Sequence, residues 1–230
     1  MDYERLLGLV KARRSIRGFK TDSIPDEDVD KIIEVARWAP SGANSQPWEF
    51  VIIKERTIKE RIVEIVNGLR EYSFQVELTR DKELRYPSAK KPFHEPGYKS
   101  APVFIILCGD PRTKEAYPLL TGLTRGESHF SSSLANTFLY MALAASSLGL
   151  GSQWVSATAS PFVQPLLKDY LGIPQQLEIY DMLALGYPDG NPRERSVRSQ
   201  TEMVHLDHFD KAKYRSDSEL RDFIVSLRQR

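Results

Sequence analysis

Residues 26–53 read DEDVDKIIEVARWAPSGANSQPWEFVII, and they lay a helix, a loop and a strand end to end. Asp26, Glu27 and Asp28 follow Pro25, and acidic side chains suit a helix N-terminus, where backbone N–H groups point outward. Val29, Ile32, Ile33 and Ala36 then recur at helical spacing. The helix must stop at Ala39, because Pro40 disfavours helical geometry in the residue before it. Residues 50–53 are an apolar strand candidate. Working outward, residues 2–12 carry Leu6, Leu7, Leu9 and Val10 among charges and predict a short helix. Residues 57–68 predict a second amphipathic helix. The continuous apolar run 103–108 predicts a buried strand. Residues 128–148 predict a long buried helix, with Gly149 as its C-terminal stop. Residues 153–156 predict a strand, 161–171 a helix and 179–185 another strand. Helices and strands alternate irregularly, so α+β or mixed α/β fits better than a doubly wound sheet, and α+β is the class expected.

Composition narrows the function. Of 230 residues, 41% are hydrophobic and 27% charged, which is globular usage. Lys and Arg number 32 against 31 Asp and Glu, a formal charge of +1, so no global field recruits nucleic acid or an anionic membrane. One cysteine excludes a disulfide framework and a Cys-rich zinc site, and it points to a reducing cytoplasm. His205 and His208 lack a third metal-type ligand, so no metal is expected. Residues 1–17 are punctuated by charge, unlike a secretory signal. Residues 131–167 lack Asp, Glu, Lys and Arg, yet their serines, Gly149, Gly151 and Pro161 argue against a membrane span. One domain over 1–230 is expected. Within it, residues 69–99, mixing charge, aromatics and proline, form an inserted lid, and a C-terminal extension follows about residue 206.

Three local features exceed composition. Arg13, Arg14, Ser15 and Arg17 place three guanidinium groups and a hydroxyl within five residues, a pattern that matches phosphate oxygens or a carbonyl–nitrogen edge. Arginines closing a helix, where they favour the dipole, give an ordinary alternative. The loop of Pro40, Ser41, Gly42, Asn44 and Gln46 is stiffened by proline and rich in groups that donate and accept; a tight connection with Trp48 in the core explains it equally well. A second basic cluster, with Arg195 and Arg198, follows the last core strand.

These strings are similar to those of the FMN-dependent nitroreductase family: RRSIRGF at 13–19, ARWAPSGANSQPWEFVII at 36–53, LGLGSQWVSA at 148–157 and LALGYPDGNPRERSVRSQTEMVH at 183–205. The resemblance implies a three-layer α-β-α fold with a central mixed sheet, dimeric, with FMN at the subunit interface. It implies that Arg13, Arg14 and Ser15 meet the FMN phosphate, ribityl chain or flavin edge, and that Arg17 lies near the flavin N1–C2=O edge. A fixed cation there favours the anionic reduced flavin. Pro40, Ser41, Gly42, Asn44 and Gln46 then reach the flavin of the partner subunit. Trp154, Val155, Ser156 and Ala157 lie along the flavin ring, and a backbone N–H there meets N5. Arg195 and Arg198, or Arg193 if the register slips, meet the phosphate. Many relatives have Pro-x-Glu-Gly where this chain has Trp154 to Ala157, so the surface over the flavin should differ.

The implied activity is hydride transfer from NADH or NADPH through flavin N5 to a small electron-poor acceptor such as a nitroaromatic or quinone, with no catalytic side chain. Tyr72, Phe74, Tyr86, Phe93, Tyr98 and Phe130 are candidates to stack on the acceptor. Rivals within the superfamily are reductive deiodination or dehalogenation, for which Glu83 and Tyr86 with Lys90, Lys91 or Lys99 show a departing spacing, and flavin cleavage. A non-catalytic flavin-binding module is the rival from another class.

Overall fold

Three acidic side chains open the second helix and bury Val29, Ile32 and Ala36 along one face, as the spacing predicts. In the computed structural model, which describes residues 2–86, 95–192 and 195–228, the elements run in this order: α1 (Tyr3–Ala12), α2 (Asp26–Arg37), β1 (Trp48–Ile53), α3 (Arg56–Gly68), α4 (Arg70–Leu78), β2 (Val103–Gly109), α5 (Leu119–Ser147), β3 (Gly151–Val155), α6 (Gln164–Leu171), β4 (Glu178–Gly186) and α7 (Asp217–Arg228). They fall into two units. The first comprises Met1–Leu69 and Glu95–Pro192, the second Arg70–His94 and Arg193–Arg230.

The first unit holds a four-stranded sheet in the order β1-β2-β4-β3. Ile52, Ile105, Leu183 and Trp154 form one row across it. The register slips once, where Leu107 faces Asp181 but Cys108 faces Ile179, so β4 bulges at Tyr180. Alternation along β2 sends Phe104, Ile106 and Cys108 to one face, against Ile62, Val63 and Val66 of α3 and Leu167 of α6. Val103, Ile105 and Leu107 go to the other, against Val29, Ile32 and Ala36 of α2 and Phe130, Leu134, Phe138 and Met141 of α5. Both faces are covered, which makes three layers and explains why β2 reads as an unbroken apolar run. The resemblance implied a mixed sheet. The four strands instead pair antiparallel, and the parallel pairing among the described residues is the isolated bridge Ser15–Ser152.

α5 starts at Leu119, ahead of the expected 128, because its opening turns leave Leu119, Leu120 and Leu123 exposed and show no buried periodicity. Its end follows the prediction: Gly149 has φ +74°, and Leu150 N–H donates to Ala145 C=O at 2.9 Å. On α3, the Lys59 ammonium donates to the carbonyls of Ala101 (2.9 Å) and Pro102 (2.7 Å), tying the helix to the entry of β2. Burial lowers its pKa below the usual lysine value. The Cys108 thiol, enclosed in the core, is pushed up to about 12 by the same effect and is inert at neutral pH. No helix among the described residues is long and apolar enough to cross a membrane.

In the second unit Arg221 of α7 pairs with Asp81 (3.1 Å) and Glu83. Arg228 lies over the Tyr86 ring at 4.9 Å. Ser216 N–H donates to Glu219 at 2.7 Å, a cap at the start of α7.

Candidate functional site

The arginine-bearing segment is laid against the open edge of β3. Ile16 N–H donates to Ser152 C=O at 2.9 Å, Asp189 N–H to Gly18 C=O at 3.0 Å and Lys20 N–H to Tyr187 C=O at 2.9 Å. Ile16 and Phe19 are buried between these contacts. Two glycines that face each other across β3 and β4, Gly151 and Gly186, make room for them. A Cβ at 151 would stand 2.6 Å from Ile16 Cγ1, and one at 186 would stand 2.9 Å from Phe19 Cδ1. At Gly97 a Cβ would fall 1.5 Å from the Arg17 carbonyl oxygen. Missing side chains on three other segments therefore set the path of residues 15–19. With Ile16 and Phe19 turned inward, Ser15 and Arg17 are left exposed and Arg13 and Arg14 half-buried.

A cavity of about 170 Å³ opens beside them, lined in part by Arg13, Arg14, Ser146, Gly149, Ser152 and Pro192. It sits where α1 and α5 both end, so the nearby helix ends present carbonyls and oppose an anion. Any anion held here relies on the guanidinium groups. Arg14 also fills the ordinary role, donating to the carbonyls of Lys11 and, at 3.1 Å, Arg13.

The loop after α2 is strained and anchored to α5. Ala43, Asn44 and Gln46 have φ of 50°, 52° and 44°. Asn tolerates this region, whereas left-handed backbone costs other L-residues roughly 1–2 kcal/mol each. Gly42 N–H donates to Ser133 Oγ at 3.2 Å, Asn136 Nδ2 to Pro40 C=O at 3.1 Å and Gln46 N–H to Ser41 Oγ at 3.1 Å. A Cβ at 42 would meet Tyr117 at 3.0 Å and His129 at 3.3 Å. Ser133 and Asn136 lie ten to thirteen residues before Ser146, which lines the arginine cavity. At 1.5 Å per residue the loop and the cavity are roughly 15–20 Å apart along α5. A single chain thus keeps these two candidate groups apart.

At the end of β3 the sequence reading was incomplete. Ser152 turns its carbonyl away from β4 toward Ile16, and two residues on Trp154 presents its backbone to the same side, an edge no strand covers among the described residues. Ser156 begins a 3₁₀ turn and is exposed, whereas Val155 is buried and Ala157 half-buried. The Trp154 indole, 46% exposed, packs on Phe138 with ring centroids 4.2 Å apart. Its Nε1–H donates to Asp181 Oδ2 at 2.5 Å. Asp181 is 7% exposed, its Oδ1 is buried without a partner, and burial, partly offset by the Trp154 hydrogen bond, pushes the carboxyl up to about 6. Tyr180 is raised too, by burial and then by the Asp181 charge. Asp181 was not among the sequence candidates. Its signal was a carboxylate inside the otherwise apolar strand 179–185.

The remaining candidates scatter. Tyr98 is 5% exposed and packs edge-on against Phe104, and Phe130 is 2% exposed beneath Lys114. Both rings belong to the core, which corrects their expected role as acceptor-stacking residues. In the second unit Tyr72 is exposed, Phe74 half-buried and Tyr86 covered on one side by Arg228. Arg195 is exposed there, while Arg198 donates to Glu202 C=O at 3.1 Å. Phe93, Lys90, Lys91 and Arg193 lie outside the described residues.

A three-layer α+β protein that carries a guanidinium cluster on the edge of its sheet is the class these features define. Within it the chain belongs to the Nitroreductase family, whose model matches residues 10–187. It is similar to a protein of Archaeoglobus fulgidus whose name joins NADH dehydrogenase and NAD(P)H nitroreductase, at 29% identity over 80% of this chain and 86% of that one. It is similar to an iodotyrosine deiodinase of Thermotoga neapolitana, at 27% identity over 85% and 94% of the two chains. Among solved structures, a nitroreductase of Bacteroides fragilis with bound FMN matches with a TM-score of 0.67 and 25% identity, over 90% of this chain and all of that one.

Proposed function

We propose that this chain is an FMN-dependent oxidoreductase that uses NADH or NADPH and acts as a homodimer with the flavin held between subunits. The observation that carries the reading is the glycine-cradled segment 13–17, fixed beside a cavity lined by Arg13 and Arg14. The donor set fits the cofactor: guanidinium forks suit a phosphate, and the open edge of β3 offers backbone N–H groups to a ring laid along it. Bound there, FMN would supply hydride-transfer chemistry between the nicotinamide and an electron-poor acceptor such as a nitroaromatic or quinone.

The chain's own work is binding and orientation. Arg13, Arg14 and Ser15 hold the phosphate end; a phosphate contact by Arg195 and Arg198 of the second unit is assigned on the family resemblance alone. Arg17 places a cation at the pyrimidine edge, which favours the anionic reduced form. Trp154 to Ala157 form the floor under the ring. The loop from Pro40 to Gln46, set apart along α5 from its own chain's phosphate-end cavity, is assigned to the partner's flavin, as the resemblance implies. Its strained backbone is held in advance by Ser133 and Asn136, so gripping a ligand costs little further ordering.

The test is an absorbance spectrum of the purified protein, followed by anaerobic mixing with NADH or NADPH and a panel of acceptors. A flavin spectrum bleached by nicotinamide and restored by a quinone or nitroaromatic supports the reading. A yellow protein that neither nicotinamide bleaches would favour a binding module. The similarity to a deiodinase motivates a second reading, reductive dehalogenation of an aromatic substrate, so a halotyrosine belongs in the acceptor panel.

A further inference from the structure

Asp181, in β4, is the one buried carboxylate among the described residues, and the mechanism above leaves it unused. One oxygen accepts the Trp154 indole N–H at 2.5 Å, and the other is buried with no hydrogen-bond partner. The indole has Phe138 on one face at 4.2 Å, and Tyr180 stands 6.2 Å away. A tryptophan that is nearly half exposed on an edge strand would ordinarily have several rotamers within reach. Here the stack fixes one ring face and the hydrogen bond fixes the N–H edge, which together leave one orientation. A buried carboxyl is an expensive way to anchor an indole, since a hydrophobic residue of similar size would pack without desolvation cost. What the carboxyl provides and a leucine does not is direction.

We propose that Asp181 is a positioning residue that locks the Trp154 indole as a wall of the slot that takes the isoalloxazine ring. The inference rests on the reading that residues 154–157 lie along the flavin. It goes beyond that reading in giving the indole side chain, rather than the strand backbone alone, a share in ring recognition, and in naming the carboxyl that directs it. The ring system is common to FMN and riboflavin, so this contact is blind to the phosphate.

The experiment compares wild type with Trp154→Leu, Asp181→Leu and Asp181→Asn. In the flavin-free protein, acrylamide quenching of tryptophan emission reads the freedom of the indole, with Trp154→Leu identifying its share among three tryptophans. In titrations with FMN and with riboflavin, the dissociation constant and the residual flavin fluorescence read the contact. An aromatic pair is worth about 0.5–1.5 kcal/mol, so Trp154→Leu should weaken both flavins by about 2- to 10-fold and brighten the bound flavin. Asp181→Leu should expose Trp154 to acrylamide and weaken both flavins in parallel. Asp181→Asn, which keeps an acceptor for the indole N–H, should restore both readouts. If Trp154→Leu binds both flavins as tightly and as darkly as wild type does, the wall does not exist and the proposal falls, whether or not Asp181→Leu folds. If Asp181→Leu leaves the acrylamide quenching unchanged, the positioning role falls. Wild-type protein that binds neither flavin would overturn the underlying reading instead, and the acrylamide comparison would still report on the Asp181–Trp154 link.

Discussion

Replacing Asp181 by Asn should make the protein more stable at neutral pH and leave it unchanged in acid. Burial raises this carboxyl from its ordinary value of 3.8 to about 6 in the folded state. Between those values the folded chain holds a proton that the unfolded chain has released. Stability then falls as pH rises through this window, is fully retained below about pH 4, and levels off above about pH 6. Two units at 1.36 kcal/mol each give a penalty of about 3 kcal/mol at pH 7 and above. Asn keeps an acceptor for the Trp154 N–H and has no proton to lose. The difference in unfolding free energy between Asp181→Asn and wild type should therefore be near zero at pH 4, grow to about 3 kcal/mol by pH 7, and stay flat beyond. In melting temperature that is roughly 6–12 °C for a chain of this size. Urea unfolding followed by far-ultraviolet circular dichroism, at matched protein concentration across pH 4 to 8, gives the difference curve, and titrations of the other carboxylates cancel in it. A difference that stays near zero at every pH, or an Asn variant less stable at pH 7, would refute the reasoning by showing that something compensates the ionised carboxylate.

Gly151→Ala should cost about 1–3 kcal/mol, because its Cβ would stand 2.6 Å from Ile16 Cγ1, and Ile16→Ala in the same chain should recover part of that loss; chemical denaturation of the four members of the cycle measures the coupling, and strict additivity would mean the two residues do not meet. Ala43→Gly should raise unfolding free energy by up to about 1 kcal/mol, since φ 50° costs alanine and not glycine; a loss of stability would show that the loop is not strained in solution. Arg195→Ala together with Arg198→Ala should weaken FMN while leaving riboflavin unaffected, because only FMN carries the phosphate; equal losses in calorimetric titrations would remove the pair from the phosphate. Arg17→Ala should leave a folded protein that retains FMN less well and is reduced more slowly by nicotinamide; unchanged flavin content and rate would take Arg17 out of the site.

What the sequence made legible follows from where the information lies. Burial imposes a fixed period on apolar residues, and α2, α3, β2 and β4 fall within a residue or two of expectation, whereas α7, with Leu220, Phe223, Ile224 and Leu227 at helical spacing, was left inside an unassigned C-terminal extension. The start of α5 was missed because its first turns are exposed, and an exposed helix has no period to read. The antiparallel pairing was out of reach for a different reason. Alternation along a strand is blind to its neighbour's direction, so Val103 to Gly109 reads the same beside either kind of partner. Tyr98 and Phe130 show the same limit on the site: an aromatic near a proposed ligand is equally at home in the core, and only packing separates the two.

The glycines and the carboxylate carry the deeper lesson. Gly151 and Gly186 stand more than a hundred residues along the chain from Ile16 and Phe19, the side chains they make room for, yet their role is one act of spacing: together with Gly97 they leave a groove into which residues 15–19 fit, with Ile16 and Phe19 inward and the basic side chains outward. Asp181 works in the opposite sense, adding a polar group where the strand pattern asks for an apolar one. In both cases the residue departs from what its own element prefers, glycine within a strand and a charge within a core, and local preference is given up for a contact made by another segment. The two departures converge on the same edge strand. β3 takes the arginine segment through Gly151 and Ser152 and orients its indole through Asp181, so a perturbation at either end should be felt along one short strand. Gly151→Ala is then expected to act chiefly on phosphate-bearing ligands and Asp181→Leu on the ring common to all flavins, and the ratio of FMN to riboflavin affinity separates the two ends.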